Sequence, residues 1–180
     1  AALAACALMG GVSACDQSPT GADYAPQPSY SVRGEYRADV PVKGLVKYQR
    51  SVNQREGSAI FSVGGGWLAV GNHRIRVPKH AVDQPVLFSM QVVPGDTVHV
   101  KLEARRLIGG EPYGNFHVPV TLYLSYADAN PSSSARLLIT YLIDGTTSGA
   151  KQGLPSAVRA HDQTVSAQLI HFSDYALGEN

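Results

Sequence analysis

Beyond residue 15 the chain has no cysteine: Cys6 and Cys15 are its only two, and both lie in an apolar stretch at the start. A disulfide framework and a thiolate-bound metal cluster are therefore excluded for everything downstream, where a domain must hold together through its core alone. At 180 residues there is room for one such core and not for two. Charge is scarce as well. Only 16% of residues are Asp, Glu, Lys or Arg, and 15 basic against 14 acidic side chains leave a formal charge of +1. That balance carries neither the basic footprint of a nucleic-acid binder nor a stripe for anionic lipid. Low charge combined with 44% hydrophobic residues suits a β-rich extracytoplasmic domain better than a helical cytosolic enzyme.

Catalytic patterns are missing too. No Gly-x-Ser-x-Gly elbow occurs, and no paired carboxylates stand out in the predicted strands. The histidines His73, His80, His99, His117, His161 and His171 lack ligand-like spacing beside a carboxylate or thiolate, so they read as scattered loop and strand residues and no metal is expected. Gly64-Gly65-Gly66 enters a strand, not a helix N-terminus, and so lacks the dipole that a phosphate loop uses. It reads as a flexible turn. No cofactor follows from any of these features, and a non-enzymatic protein is the expectation.

What the sequence does have begins with an uncharged leader. Residues 1–14 read AALAACALMGGVSA, followed at once by Cys15 and the polar Asp16-Gln17-Ser18. The run is too short to span a bilayer and reads as the core of a signal segment. A basic stretch normally precedes such a core; none precedes Ala1, which implies that the sequence starts within the precursor. Val12-Ser13-Ala14-Cys15 resembles the lipobox of bacterial lipoproteins, with an aliphatic residue and two small ones before the cysteine. The resemblance implies cleavage before Cys15, a diacylglycerol on its sulfur and a protein anchored to a membrane by several acyl chains. Leu3-Ala4-Ala5-Cys6 fits the same pattern, but the apolar run continues past it, which favours Cys15. The alternative is an ordinary secretory signal ending near Ala14 and leaving a free thiol. Asp16 after the cysteine resembles an inner-membrane retention signal, which would place the protein on the periplasmic side of the inner membrane. Without that signal, the outer membrane or the cell surface is expected.

From Asp16 to Glu35 the chain is rich in Pro, Ser, Gly and Ala and lacks apolar periodicity. It reads as a disordered tether of about twenty residues, reaching on the order of 25 Å. The domain proper is expected over residues 36–180 as an all-β antiparallel sandwich, because short β-branched and aromatic runs alternate with Gly/Pro turns. The predicted strands are Val40 to Tyr48, Ala59 to Val63, Trp67 to Val70, Arg74 to Val77, Val86 to Val93, Thr97 to Leu102, Val118 to Tyr126 and Leu137 to Ile143. A final strand or strand pair covers Thr164 to Leu177. Gly71-Asn72 and Asp144-Gly145 are predicted turns, and so is Pro94-Gly95-Asp96. In Val118 to Tyr126, Val118, Val120, Leu122 and Leu124 share one face. Leu137 to Ile143 is apolar on both faces and is predicted to be central. At most one helical turn is expected, at His80 to Asp83.

Several segments from about Gly57 to Leu177 occur in a familiar order: Gly64-Gly65-Gly66-Trp67-Leu68, Ile75-Arg76-Val77-Pro78, Phe116-His117-Val118-Pro119-Val120-Thr121-Leu122 and His171-Phe172-Ser173-Asp174-Tyr175-Ala176-Leu177. Together they resemble the ZU-five domain, the β-sandwich of ankyrins, netrin receptors and zonula occludens proteins. The match is weak before Gly57 and is interrupted by the Pro-Ser insertion after Asp128. The resemblance implies protein interaction and coupling between domains, usually without catalysis. Some relatives cut their own backbone between Phe and Ser of a His-Phe-Ser triplet. Here Ser173 would attack the Phe172 carbonyl while His171 handled the proton. Such a cut would detach only Ser173 to Asn180, and a packed strand with Phe172 in the core is the other reading.

The functional expectation is thus a membrane-anchored envelope lipoprotein that binds an envelope protein partner, with no nucleic acid and no cofactor. Self-cleavage at Phe172-Ser173 is one alternative. Glycan or small-ligand binding is another, through a face bearing Tyr113, Tyr123, Tyr126 and Tyr141 and the loops around Gly109 to Asn115 and Asn130 to Ser134.

Overall fold

Apolar and polar side chains that alternate, cut every few residues by Gly or Pro, commit a chain to extended structure. The computed structural model describes residues 40–132 and 136–180, and these form an all-β antiparallel sandwich. The lipobox residues, Cys15, the tether and the expected domain start at residue 36 lie outside the described residues.

The strands, in chain order, are β1 (Gly44–Leu45), β2 (Lys47–Val52), β3 (Arg55–Phe61), β4 (Gly66–Val70), β5 (His73–Val77), β6 (Val86–Val92) and β7 (Gly95–Thr97). There follow β8 (His99–Arg106), β9 (Val120–Ser125), β10 (Leu137–Leu142), β11 (Lys151–Gly153), β12 (Ser156–Arg159), β13 (Thr164–Leu169) and β14 (Asp174–Glu179). Seven of them make one sheet, in the order β11-β10-β14-β8-β6-β3 with β1 also paired to β14. Five make the second sheet, in the order β12-β13-β9-β5-β4, and β2 pairs with β7 as a separate ribbon.

The core lies between the two sheets. Phe88, Met90, Leu102, Tyr175 and Leu177 come from the first, and Ile75, Leu122, Leu124, Val165 and Leu169 from the second, all 2% exposed or less. Burying each large side chain contributes about 1.5–3 kcal/mol before entropy is set against it. At one side of the core Phe88 collects Phe61, Phe116 and Phe172 around it, with ring centroids 5.2, 5.5 and 5.0 Å away.

Several expectations hold in detail. Gly71-Asn72 is the two-residue loop between β4 and β5, with Val70 opposite His73 and Gly71 at φ +58°, which glycine adopts without the Cβ penalty. β10 is flanked by β11 and β14 and is buried on both sides: Leu137 and Ile139 join the core cluster, while Leu138 and Leu142 are buried on the other face.

Other expectations are corrected. Val40 to Tyr48 is not one strand: after an isolated bridge at Val40, β1 and β2 go to different partners, β14 and β7. Between them the chain changes partner at Val46, whose N–H donates to the Leu177 carbonyl and whose carbonyl accepts from Val98 N–H. Pro94-Gly95-Asp96 is not a tight turn either. Val93 N–H donates to the His99 carbonyl, closing an excursion whose middle, β7, pairs with β2, so the next strand begins at His99 and not at Thr97. Pro119 precedes the strand, β9 starts at Val120, and Val118 is 37% exposed outside it. The strand pair expected as one alternative over Thr164 to Leu177 is present, with β13 in one sheet and β14 in the other. At His80 to Asp83, where at most one helical turn was expected, there is none: Lys79-His80 forms a turn closed by Ala81 N–H on the Pro78 carbonyl, with His80 at φ +61°, and no helix occurs among the described residues. β11 and β12 were not anticipated, because Lys151 to Arg159 shows little apolar alternation.

Candidate functional site

Strand phase decides what the five-stranded sheet presents outward. Leu68 and Val70, Ile75 and Val77, Val120, Leu122 and Leu124, and Val165, Ala167 and Leu169 are buried in the core. Their alternates Trp67, Arg74, Arg76, Thr121, Tyr123, Ser166 and Gln168 therefore share the opposite face. Register then chooses neighbours: Trp67 is opposite Arg76, and Arg74 is opposite Tyr123.

The result is a stack of rings and guanidinium groups. The Arg74 guanidinium carbon lies 5.1 Å from the Tyr123 ring centroid and 5.7 Å from that of Trp67. Arg76 sits 5.9 Å from the Trp67 ring, and Arg159 of β12 sits 5.7 Å from Tyr123. The two rings are 5.7 Å apart and inclined by 33°. Each cation–ring contact is worth about 0.5–1 kcal/mol at such a surface. Tyr123 is only 6% exposed although it faces outward, because these groups cover it, whereas Trp67 remains 54% exposed.

The charge on this face is one-sided. β4, β5, β9, β12 and β13 contain Arg74, Arg76 and Arg159 and no Asp or Glu. The nearby carboxylate of Asp162, in the turn between β12 and β13, is 3.8 Å from Arg74 Nη2 with both side chains over a third exposed, a weak pair. Asp162 is held below the usual carboxylate range first by its hydrogen bond with His161, with smaller contributions from Arg74 and Arg159. Arg74 Nε is buried with no hydrogen-bond partner among the described residues.

A second cluster lies where β2 passes the β4–β5 hairpin. Tyr48 Oη and His73 Nε2 are 2.9 Å apart, and the Ser125 N–H donates to His73 Nδ1 at 3.1 Å. A backbone donor at Nδ1 requires that nitrogen to be bare, so the neutral ring carries its proton on Nε2 and donates to Tyr48. Burial pushes His73 down to about 4 and Tyr48 up to about 12. The cavity beside them, lined by Arg55, Asn72, Ser125 and Asp128 among others, is about 50 Å³. That is water-sized, too small for an organic ligand.

The residues singled out from the sequence are dispersed. Tyr123 is in the stack on the outer face of the five-stranded sheet, but Tyr141 belongs to the other sheet, where its ring lies against Tyr175 and His171. Tyr113 stacks on Phe116 and donates to Asp83, while Tyr126 closes the end of β9 through its N–H to Gln163. These four tyrosines do not make one face. His171-Phe172-Ser173 forms the crossover from β13 to β14. The His171 carbonyl accepts from Tyr175 Oη, Phe172 packs edge-on against Phe88 and Phe116, and the Ser173 carbonyl accepts from Leu102 N–H. His99, nearby in the first sheet, pairs its Nε2 with Asp174 Oδ1 at 3.0 Å. Among the described residues no three His, Cys, Asp or Glu side chains gather in a way that could hold a metal ion.

No family model matches the chain, and no curated protein is significantly similar to it.

Sequence reasoning missed Trp67 and the three arginines as a unit. The signal was present: once Leu68, Val70, Ile75 and Val77 are assigned inward, Trp67, Arg74 and Arg76 must face outward together. Arg159 gave no such signal, since it joins the face through a strand with little alternation.

Proposed function

We propose that this protein is a non-enzymatic interaction module, tethered to a bacterial cell envelope through lipidated Cys15, that engages its partner across the outer face of the five-stranded sheet. The observation that carries the reading is Trp67, a large aromatic left 54% exposed among arginines that have almost no carboxylates to pair with. Exposed aromatics and arginines are the residue types in which binding energy concentrates. The uncharged leader, the lipobox-like Val12-Ser13-Ala14 and the tether support an anchored module, and the ordered segments that resemble the ZU-five domain support a coupling role. In this reading the His171-Phe172-Ser173 crossover is a core anchor.

The test is photocrosslinking in intact cells, from a photoreactive residue at position 67 and, as a control, at Ile143, which is 54% exposed at the end of β10 in the other sheet. Adducts in the envelope fraction from 67 and not from 143 are expected. Equal labelling from both positions, or none from 67, would overturn the proposal.

A further inference from the structure

Two cross-strand rows run over the face just described. One reads Trp67, Arg76, Thr121, Gln168, and the other Ala69, Arg74, Tyr123, Ser166, Ala157. Each row presents one side chain per strand at the strand spacing of about 4.8 Å, roughly the length of one hexose unit. No outward side chain in either row is a large aliphatic, so a peptide that anchors itself through Leu or Ile would find nothing to pack into. A nucleic acid would demand many more cations than this nearly neutral protein offers.

What the rows do offer is chemically specific. Guanidinium forks receive carboxylates in two parallel hydrogen bonds, and an open indole accepts the C–H face of a sugar ring. Hydroxyl and amide groups at Thr121, Ser166 and Gln168 match sugar hydroxyls. We infer that the occupant of this face is an acidic polysaccharide, running obliquely over the sheet with one sugar ring on Trp67 and its uronate carboxylates on Arg76, Arg74 and, towards β12, Arg159. This rests on the reading of that face as the interaction surface and names the chemistry of its partner.

Trp67 is the protein's one tryptophan, so its emission reports occupancy of the face without a label. The full chain in detergent micelles is titrated with oligogalacturonate by calorimetry, with Trp67 fluorescence followed in parallel. Saturable binding is expected, with a change in Trp67 emission, weakening as salt rises. Arg74→Ala and Trp67→Ala should each reduce affinity at least about tenfold. Trp67→Tyr should retain most of the affinity, and Arg74→Lys, which keeps the charge but loses the fork, should fall between. Thermal melts of each variant separate lost binding from lost fold.

Equal binding of neutral dextran, equal binding of polyglutamate, or oligogalacturonate binding that the folded variants leave unchanged would overturn the inference. So would the absence of binding. If oligogalacturonate fails while crosslinking from position 67 still yields adducts, only the polysaccharide falls. If both fail, the interaction face falls with it.

Discussion

At the scale of single residues, His73 shows how a buried group ties stability to pH. It is 4% exposed, accepts the Ser125 N–H, and is pushed by burial from its ordinary 6.5 to about 4. Between those values the unfolded chain binds a proton that the folded chain refuses. The contribution of neutral His73 is therefore fully present above pH 6.5 and is lost as pH falls toward 4, on the order of 3 kcal/mol in all. Urea unfolding at a series of pH values should show this decline, and His73→Gln should flatten it; an unchanged slope would refute the assignment. Gly65 makes a second case. It sits at φ +67°, where a Cβ would run into the Val77 carbonyl and the Pro78 backbone, so Gly65→Ala should cost at least about 1 kcal/mol in chemical denaturation. The triplet at the crossover gives a third. With Phe172 packed among aromatics, the purified protein should give one intact mass with no fragment ending at Phe172, and the Ser173→Ala protein should likewise give one intact species, lighter only by the lost oxygen.

Elements were legible in the sequence wherever one interaction decided them. The β4–β5 hairpin was readable because Gly71-Asn72 fixes a two-residue loop, and β10 because an apolar run with no polar phase must be covered on both sides. Val40 to Tyr48 was not readable as two elements, because nothing local distinguishes a strand that stays with one partner from one that changes partner at Val46. The excursion at Pro94-Gly95-Asp96 misled for the same reason: its turn-forming residues are real, but the closing bond from Val93 to His99 and the pairing with β2 are long-range facts. The candidate site was legible in its inward half and unread in its outward half, since apolar side chains announce burial while outward arginines read as ordinary surface. One element-scale prediction follows from the aromatic cluster. Phe88 on β6 touches rings from β3, the loop before β9 and the crossover before β14, so Phe88→Ala should cost about 3–5 kcal/mol in urea unfolding, more than a leucine at a collapsible site.

For the whole molecule, near-zero net charge conceals segregation. The strands of the five-stranded sheet carry Arg74, Arg76 and Arg159 with no Asp or Glu among them, whereas in the other sheet acids and bases alternate and pair, as Glu103 does with Lys101 and Arg105. The proposed lipid anchor predicts that metabolic labelling with palmitate marks the protein and that Cys15→Ser abolishes the label and releases the chain from the membrane fraction; a Cys15→Ser protein that stays labelled would contradict it. The most direct measurement of the central claim is fluorine NMR of the full chain carrying fluorotryptophan at position 67, titrated with extract of its own cell envelope. The account predicts that the single resonance shifts or broadens, and that Arg74→Ala suppresses the change while leaving the fold intact. A resonance that stays where it was at saturating extract would contradict it.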